Sequence, residues 1–199
     1  MLLTINFQHA LVILEAPKLI REEIVVPAEF PLHPDCPYRS GYDWLYRYER
    51  EILRFLAPWL SRYRYELIGE KGILCEALSN AFCHGHQKDP HRPIELRVFR
   101  GEKGLLVQIK DDGQGFYVKN VLERYRKNER YYCTAGNGFH LMASSPHFGI
   151  FYDPSGTTFH LLYLFDENLD SLPAVAFRST PARNSRRSAD RPSSQRTVH

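Results

Sequence analysis

Glu76, Asn80 and His84 recur every four residues in the stretch ILCEALSNAFCHGH, a spacing that stacks three polar side chains along one line of a helix. The line runs beside Leu74, Ala77, Leu78 and Ala81, at the rim of the apolar face rather than opposite it. It therefore looks into whatever cavity the helix borders. A carboxylate there can take a proton from a nucleophile. An amide oxygen is a hard ligand of the kind magnesium accepts, usually together with phosphate oxygens and water. Taken alone, a solvated helix face accounts for the same strip.

A second set of residues closes a strand. In LLVQIKDDGQGF, residues 105 to 116, Leu105, Val107 and Ile109 alternate with Leu106, Gln108 and Lys110. Continuing the alternation turns Asp111 inward and Asp112 outward. An inward carboxylate needs a donor, because a buried unpaired charge is costly. A purine exocyclic amino group is one such donor; an arginine or a backbone amide is the structural alternative. Gly113 and Gly115 permit a tight turn and leave room for a planar ligand. The D-x-D-x-D spacing of a calcium loop is absent. Gly136 and Gly138, in TAGNGFHLM, open a helix whose first amides can face phosphate, although a lone GxG is weak evidence. Gly156-Thr157-Thr158 reads in isolation as a turn and a strand start. Cys83, His84 and His86 lack a second cluster of matching spacing, which argues against a zinc site.

These residues need a frame. From Asp43 to about Arg64, Trp44, Leu45, Tyr48, Ile52, Leu53, Phe55 and Leu56 are spaced by three and four, which predicts an amphipathic helix that Pro58 bends or ends. A second helix is predicted over about 72 to 84. IELRVFR and GLLVQIKD, joined by GEKG, read as an antiparallel hairpin. Residues 118 to 128 read as a helix or ordered loop and 138 to 145 as a short helix, and HFGIFYDPSGTTFHLLYLF as two strands around an Asp-Pro-Ser-Gly turn. Pro17, Pro27, Pro31, Pro34 and Pro37 break up residues 1–40, where one or two strands and a long extended connection are expected. From Pro173 onward Pro, Arg and Ser dominate, and no packed structure is expected.

The 199 residues suffice for one domain with extensions, and 12 Tyr and 12 Phe can fill its core. The net charge of +3 is misleading: six arginines against one aspartate in residues 178–199 put +5 on the tail and leave the rest at −2. A basic nucleic-acid surface on the folded part is therefore not expected. The N-terminal apolar stretch is interrupted by His9 and Glu15 and is too short and polar for a signal peptide or a membrane span. Cys36, Cys75, Cys83 and Cys133 lack CxxC spacing and fit reduced thiols in a cytoplasm.

Together and in this order, the motifs resemble the GHKL superfamily of ATP-binding domains, which includes gyrase, heat-shock chaperone, mismatch-repair and histidine-kinase members. The closest likeness is to the bacterial anti-sigma-factor serine/threonine kinases. EALSNAFCHGH looks like their N box, DDGQGF like the G1 box, AGNGFHLM like the G2 box and SGTTFHLL like the closing GT element. The resemblance covers roughly residues 43 to 165. It implies a Bergerat-type ATP-binding fold: a two-layer α/β sandwich with a mixed, mainly antiparallel sheet covered on one face by helices. The implied organisation is an N-terminal extension over 1–40, an ATP-binding kinase domain over 41–172 and a disordered tail over 173–199.

The same likeness assigns roles. Asp111 accepts from the adenine amino group, Gly113 and Gly115 shape the base pocket, and Thr157 sits beside Asp111. Asn80 holds magnesium, His84 joins the cofactor-binding set, and Gly136 and Gly138 line the triphosphate. Glu76 is the general base that activates a serine hydroxyl of a small anti-sigma-factor antagonist, or a water in a simple ATPase. Arg124, Arg126, Lys127 or Arg130 in the lid between Phe116 and Ala135 can neutralise phosphate charge. Sequestration of a sigma factor and a homodimer are implied as well, with no direct part for nucleic acid or membrane. A nucleotide-regulated binding module is the alternative from another class; the pairing of Glu76 with Asn80 favours the enzyme. The catalytic domain of a histidine kinase fits less well, because no helix bearing a phosphoacceptor histidine precedes the motifs. The chain departs from these kinases in its long front segment, in the Tyr131-Tyr132-Cys133 run of the lid and in its Arg/Ser-rich tail.

Overall fold

The computed structural model describes residues 1–30, 42–60, 63–69, 71–127 and 137–165. The two period-two apolar runs form β2 (Ile94–Arg100) and β3 (Gly104–Lys110), and three more strands join them: β1 (Lys18–Val25), β4 (Gly149–Tyr152) and β5 (Thr158–Leu164). They make one sheet in the order β1-β2-β3-β5-β4, with every neighbouring pair antiparallel. A parallel bridge between Leu2 and Ile150 adds a mixed element at β4. The register sets Leu96 against Ile109 and Val98 against Val107, then Val107 against Leu161 and Ile109 against Phe159. One face of the sheet is therefore a continuous apolar surface.

Two helices cover that face. In α2 (Asp43–Leu60), Trp44, Tyr48, Ile52, Leu56 and Leu60 repeat every four residues and are all buried. Each contributes about 1.5–3 kcal/mol for leaving water. Pro58 is tolerated inside the last turn and the helix stops two residues later. α3 (Ile73–Asn80) buries Leu74, Ala77 and Leu78 in the same core. α4 (Val118–Arg126) and α5 (Asn137–Ala143) follow the hairpin, and Met142 of α5 joins the core. This is the α/β sandwich that the motif order implies.

The N-terminal segment supplies an expected strand, β1, together with an unexpected helix, while most of the extended connection expected before residue 40 lies outside the described residues. Residues Phe7–Leu14 form a helix, α1, whose Ala10 and Leu14 pack on Leu106, Phe151, Leu162 and Leu164 on the opposite face of the sheet. β3 is consequently buried on both sides through Ile109. Two turns of helix in which Gln8 and His9 are the only polar residues are too short for a period to be read. The legible signal was Asn6, whose side chain accepts from the His9 amide at 2.9 Å as an N-cap. At its other end α1 is closed by the β2–β3 turn: the amides of Glu102 and Lys103 donate to the carbonyls of Glu15 and Leu14 at 3.0 and 3.1 Å. β1 then enters the sheet beside β2, so residues 1–30 are built into the domain.

Candidate functional site

α3 begins at Gly72 and carries Glu76 in its first turn and Asn80 at its last position. It continues as a π turn, Ala81–Gly85, in which the His86 amide reaches the Ala81 carbonyl at 2.9 Å. Such wide turns in helices occur often at functional sites. Here the turn carries His84 and Gly85 toward the end of β3. Glu76, Asn80, His84 and Gly85 then face Asp111 and Gly115 across a cavity of about 640 Å³, which is in the range of small-molecule sites.

The two aspartates separate as the alternation predicts. Asp111 is half-buried, and its Oδ1 accepts the Gly113 amide at 2.8 Å while its own amide donates to the Thr157 carbonyl at 3.0 Å. A backbone amide thus satisfies one carboxylate oxygen, and the cavity is left for the other. Burial raises the Asp111 pKa above the ordinary carboxylate value, and the Gly113 amide, His86 and Arg92 oppose the rise. Asp112 is exposed and structural. Its Oδ1 lies 2.9 Å from Arg92 Nη2 and 2.9 Å from His86 Nε2, and Arg92 also donates to the carbonyls of Asp112 and Gly85. His86 is buried, which lowers its pKa, so it meets Asp112 chiefly as a neutral ring.

Close approach explains two glycines. A Cβ on Gly85 would land on the Asp111 carboxylate, and Gly115, at φ 68°, lies against the Ser155 carbonyl. The DDGQG loop and the Asp153–Gly156 turn are therefore interlocked, and substitution at either glycine would displace the aspartate or the turn.

Glu76 is half-buried, and burial raises its pKa while His84 partly counters the rise. Aromatic rings form the wall between the two ends. Tyr152 meets Phe116 at 4.9 Å and Phe159 at 5.4 Å edge-on and stacks on Phe139 at 6.2 Å; all four line the cavity.

Of the residues singled out by sequence, Glu76, Asn80, His84, Asp111 and Gly115 line this one cavity. Gly113 stands behind Asp111 as its amide donor. Thr157 neighbours Asp111 through its carbonyl, but its hydroxyl turns to Ser155 at 2.7 Å, and Gly156 lines the cavity instead. Gly138 lies in the first turn of α5, while Gly136 lies outside the described residues. Among the lid cations, Arg130 and the Arg126 side chain also lie outside them, and Arg124 and Lys127 do not line the cavity. Lys88 does, from a segment where Gln87 and Lys88 both take positive φ, 54° and 66°. Sequence reasoning missed Lys88, Tyr42 and Tyr152. The motif gives no cue to a doubled left-handed turn, and the tyrosines come from flanking segments.

The donor set suits a hard cation: Glu76 and Asn80, which both line the cavity, carry side-chain oxygens. Among the described residues no group of three or more His, Cys, Asp or Glu could hold a metal by itself. A cation here would take most of its ligands from a bound phosphate and water. Among the same residues no helix is long and apolar enough to cross a membrane, and Cys75 and Cys83 form no disulfide.

Residues 45–145 match the family model of the histidine kinase-like ATPase domain. No curated protein matches the chain. The matched segment contains α3, the π turn, the β2–β3 hairpin and Asp111, while Tyr42, Tyr152, Gly156 and Phe159 complete the cavity from outside it.

Proposed function

The chain belongs to the histidine kinase-like ATPase family, and from that premise we propose that it is an ATP-dependent serine/threonine protein kinase of the partner-switching type. Its substrate in this reading is a serine or threonine hydroxyl of a small anti-sigma-factor antagonist, and the domain also sequesters a sigma factor, as a homodimer, in the cytoplasm. The kinase unit spans about residues 41–172, together with the strand and helix that residues 1–30 add to it.

One observation carries the enzymatic reading. Glu76 and Asn80 stand one helical turn apart on α3 and open onto the same cavity as Asp111. Adenine would donate its exocyclic amino group to the free oxygen of Asp111 and lie against the aromatic wall, with Gly115 giving the base room. The triphosphate would extend toward α5 and its Gly138, with Lys88 as the cation at hand and His84 lining the same cavity. Magnesium would be held by Asn80 together with phosphate oxygens, and would supply charge neutralisation for phosphoryl transfer. Glu76, with its pKa raised by burial, is a better match for taking a hydroxyl proton near neutral pH than an ordinary carboxylate. A nucleotide-regulated binding module has no need of such a base.

The test is transfer of label from γ-labelled ATP, with magnesium, to small candidate partners encoded beside the chain. Glu76→Ala is expected to bind ATP and to lose about 10²–10⁴ in transfer rate. Full transfer by that variant would remove Glu76 from the role. ATP binding with no acceptor phosphorylated would favour the binding module.

A further inference from the structure

The π turn after α3 reverses the chain in a way that costs conformational strain. The His86 amide donates to the Ala81 carbonyl and the Lys88 amide to the Phe82 carbonyl, both at 2.9 Å. These bonds satisfy carbonyls that a helix end otherwise leaves orphaned. The same reversal puts Gln87 and Lys88 at positive φ, 54° and 66°. Glycine, and sometimes asparagine, is the ordinary residue at such a helix end, because a Cβ is disfavoured in left-handed backbone. Two long side chains stand there instead, and glycine would relieve the strain that each of them brings. Capping thus explains the turn but not the residues that occupy it.

The two residues differ in where they lie. Lys88 lines the cavity, and Gln87 does not. The lining holds two carboxylates, Glu76 and Asp111, and among its described residues Lys88 is the only lysine or arginine. Lys88 is exposed, and no carboxylate among the described residues pairs with it. Its backbone is tied down on both sides: beyond it the Asp89 amide donates to the His86 carbonyl at 3.1 Å, and the Ala28 amide donates to the Pro90 carbonyl at 2.8 Å. An ammonium group carried on fixed backbone loses only its own side-chain freedom when it meets a ligand.

We propose that Lys88 pairs with the phosphates of the bound nucleotide and makes the cavity select nucleotide over uncharged nucleoside, the left-handed turn being the strain that this placement carries. The inference rests on reading the cavity as an ATP site. Asp111 reads the base, which adenosine, ADP and ATP share. Glu76 and Asp111 both disfavour phosphate charge, so discrimination in favour of it calls for a cation in the lining.

The test measures, on the full chain with magnesium, the affinity for ATP, ADP and adenosine by calorimetry and the urea midpoint without ligand. Wild type is compared with Lys88→Met, Lys88→Gly and Gln87→Gly. Lys88→Met keeps the aliphatic stem and deletes the charge. It is expected to bind ATP and ADP about three- to tenfold more weakly and adenosine as the wild type does, with a deficit that shrinks as salt is raised. Lys88→Gly should show the same affinity loss together with a higher urea midpoint, by about 0.5 M, because the strain is relieved. Gln87→Gly should raise the midpoint likewise and keep the affinity of the wild type.

Unchanged ATP affinity in Lys88→Met would overturn the proposal, and so would an equal loss for adenosine, which would make the side chain a wall rather than a charge partner. A lower midpoint in Lys88→Gly would overturn the strain argument, since the side chain would then hold the turn. A wild-type protein that binds adenosine but no ATP would overturn the role of Lys88, whereas one that binds neither would overturn the reading of the cavity and this role with it.

Discussion

Asp111 and Asp112 are adjacent and identical, yet they do different work. Asp112 braces the loop through Arg92 and His86, while Asp111 keeps one oxygen on the Gly113 amide and offers the other to the cavity. In Asp111→Asn the amide oxygen can still accept from Gly113, so the loop should hold. The position that faces the ligand then carries an NH2 group, a donor set against adenine's donor. A hydrogen bond to a charged group is worth about 1.5–3 kcal/mol, and 1.4 kcal/mol is tenfold in affinity. ATP binding should therefore weaken by at least ten- to a hundredfold; unchanged affinity by calorimetry would sink the adenine assignment. The alternation along β3 was enough to separate the two aspartates. It could not decide which donor Asp111 meets, because the Gly113 amide reaches it through a loop conformation rather than through sequence spacing.

At the scale of elements, the site depends on a helix that changes pitch. The strip of Glu76, Asn80 and His84 is legible as a four-residue repeat, but an α-helix continued to Gly85 would not deliver that glycine to Asp111. The π turn does, and Gly85 has no room for a side chain there. Gly85→Ala should leave the core intact, since the turn lies at the cavity rim, and should push the Asp111 carboxylate aside. The expected outcome is loss of ATP binding comparable to Asp111→Asn, with a melting temperature within a few degrees of wild type. Retained binding would show that the loop yields to a methyl group without moving the carboxylate. Nothing in NAFCHGH marks the change of pitch, because a wide turn arises from how two ends are tied, not from residue preference.

At the scale of the molecule, burial of titratable groups makes stability depend on pH. His160 of β5 is 1% exposed, stacked on Phe151, and burial pushes its pKa down to about 4. A histidine depressed in the folded state contributes stability that is complete above its ordinary value near 6.5. That contribution is lost as pH falls through about 4. Between pH 7 and 4.5 the loss amounts to about 2–3 kcal/mol. Urea midpoints at the two pH values should show that drop in the wild type and a smaller one in His160→Phe. Equal drops would mean that other groups carry the acid sensitivity. His86, also lowered by burial, acts in the same direction, whereas buried Glu49, whose pKa is raised, gains from acid.

The β2–β3 hairpin and the two core helices were legible because amphipathic periods of 2 and 3.6 run through them, and β4 and β5 because a turn sequence separates two apolar runs. α1 was not, since it is too short to show a period and its partners lie far along the chain. That distance also matters in time, as the chain leaves the ribosome. β1 waits for Arg100 to pair with Lys18, α1 for Glu102 and Lys103 to close its end, and Leu2 for Ile150. At roughly 5–20 residues per second, the first strand and helix spend on the order of ten seconds with their apolar faces uncovered. During synthesis, the segment that finishes the far side of the sheet thus emerges well before the strands it must meet and is among the last to find its place.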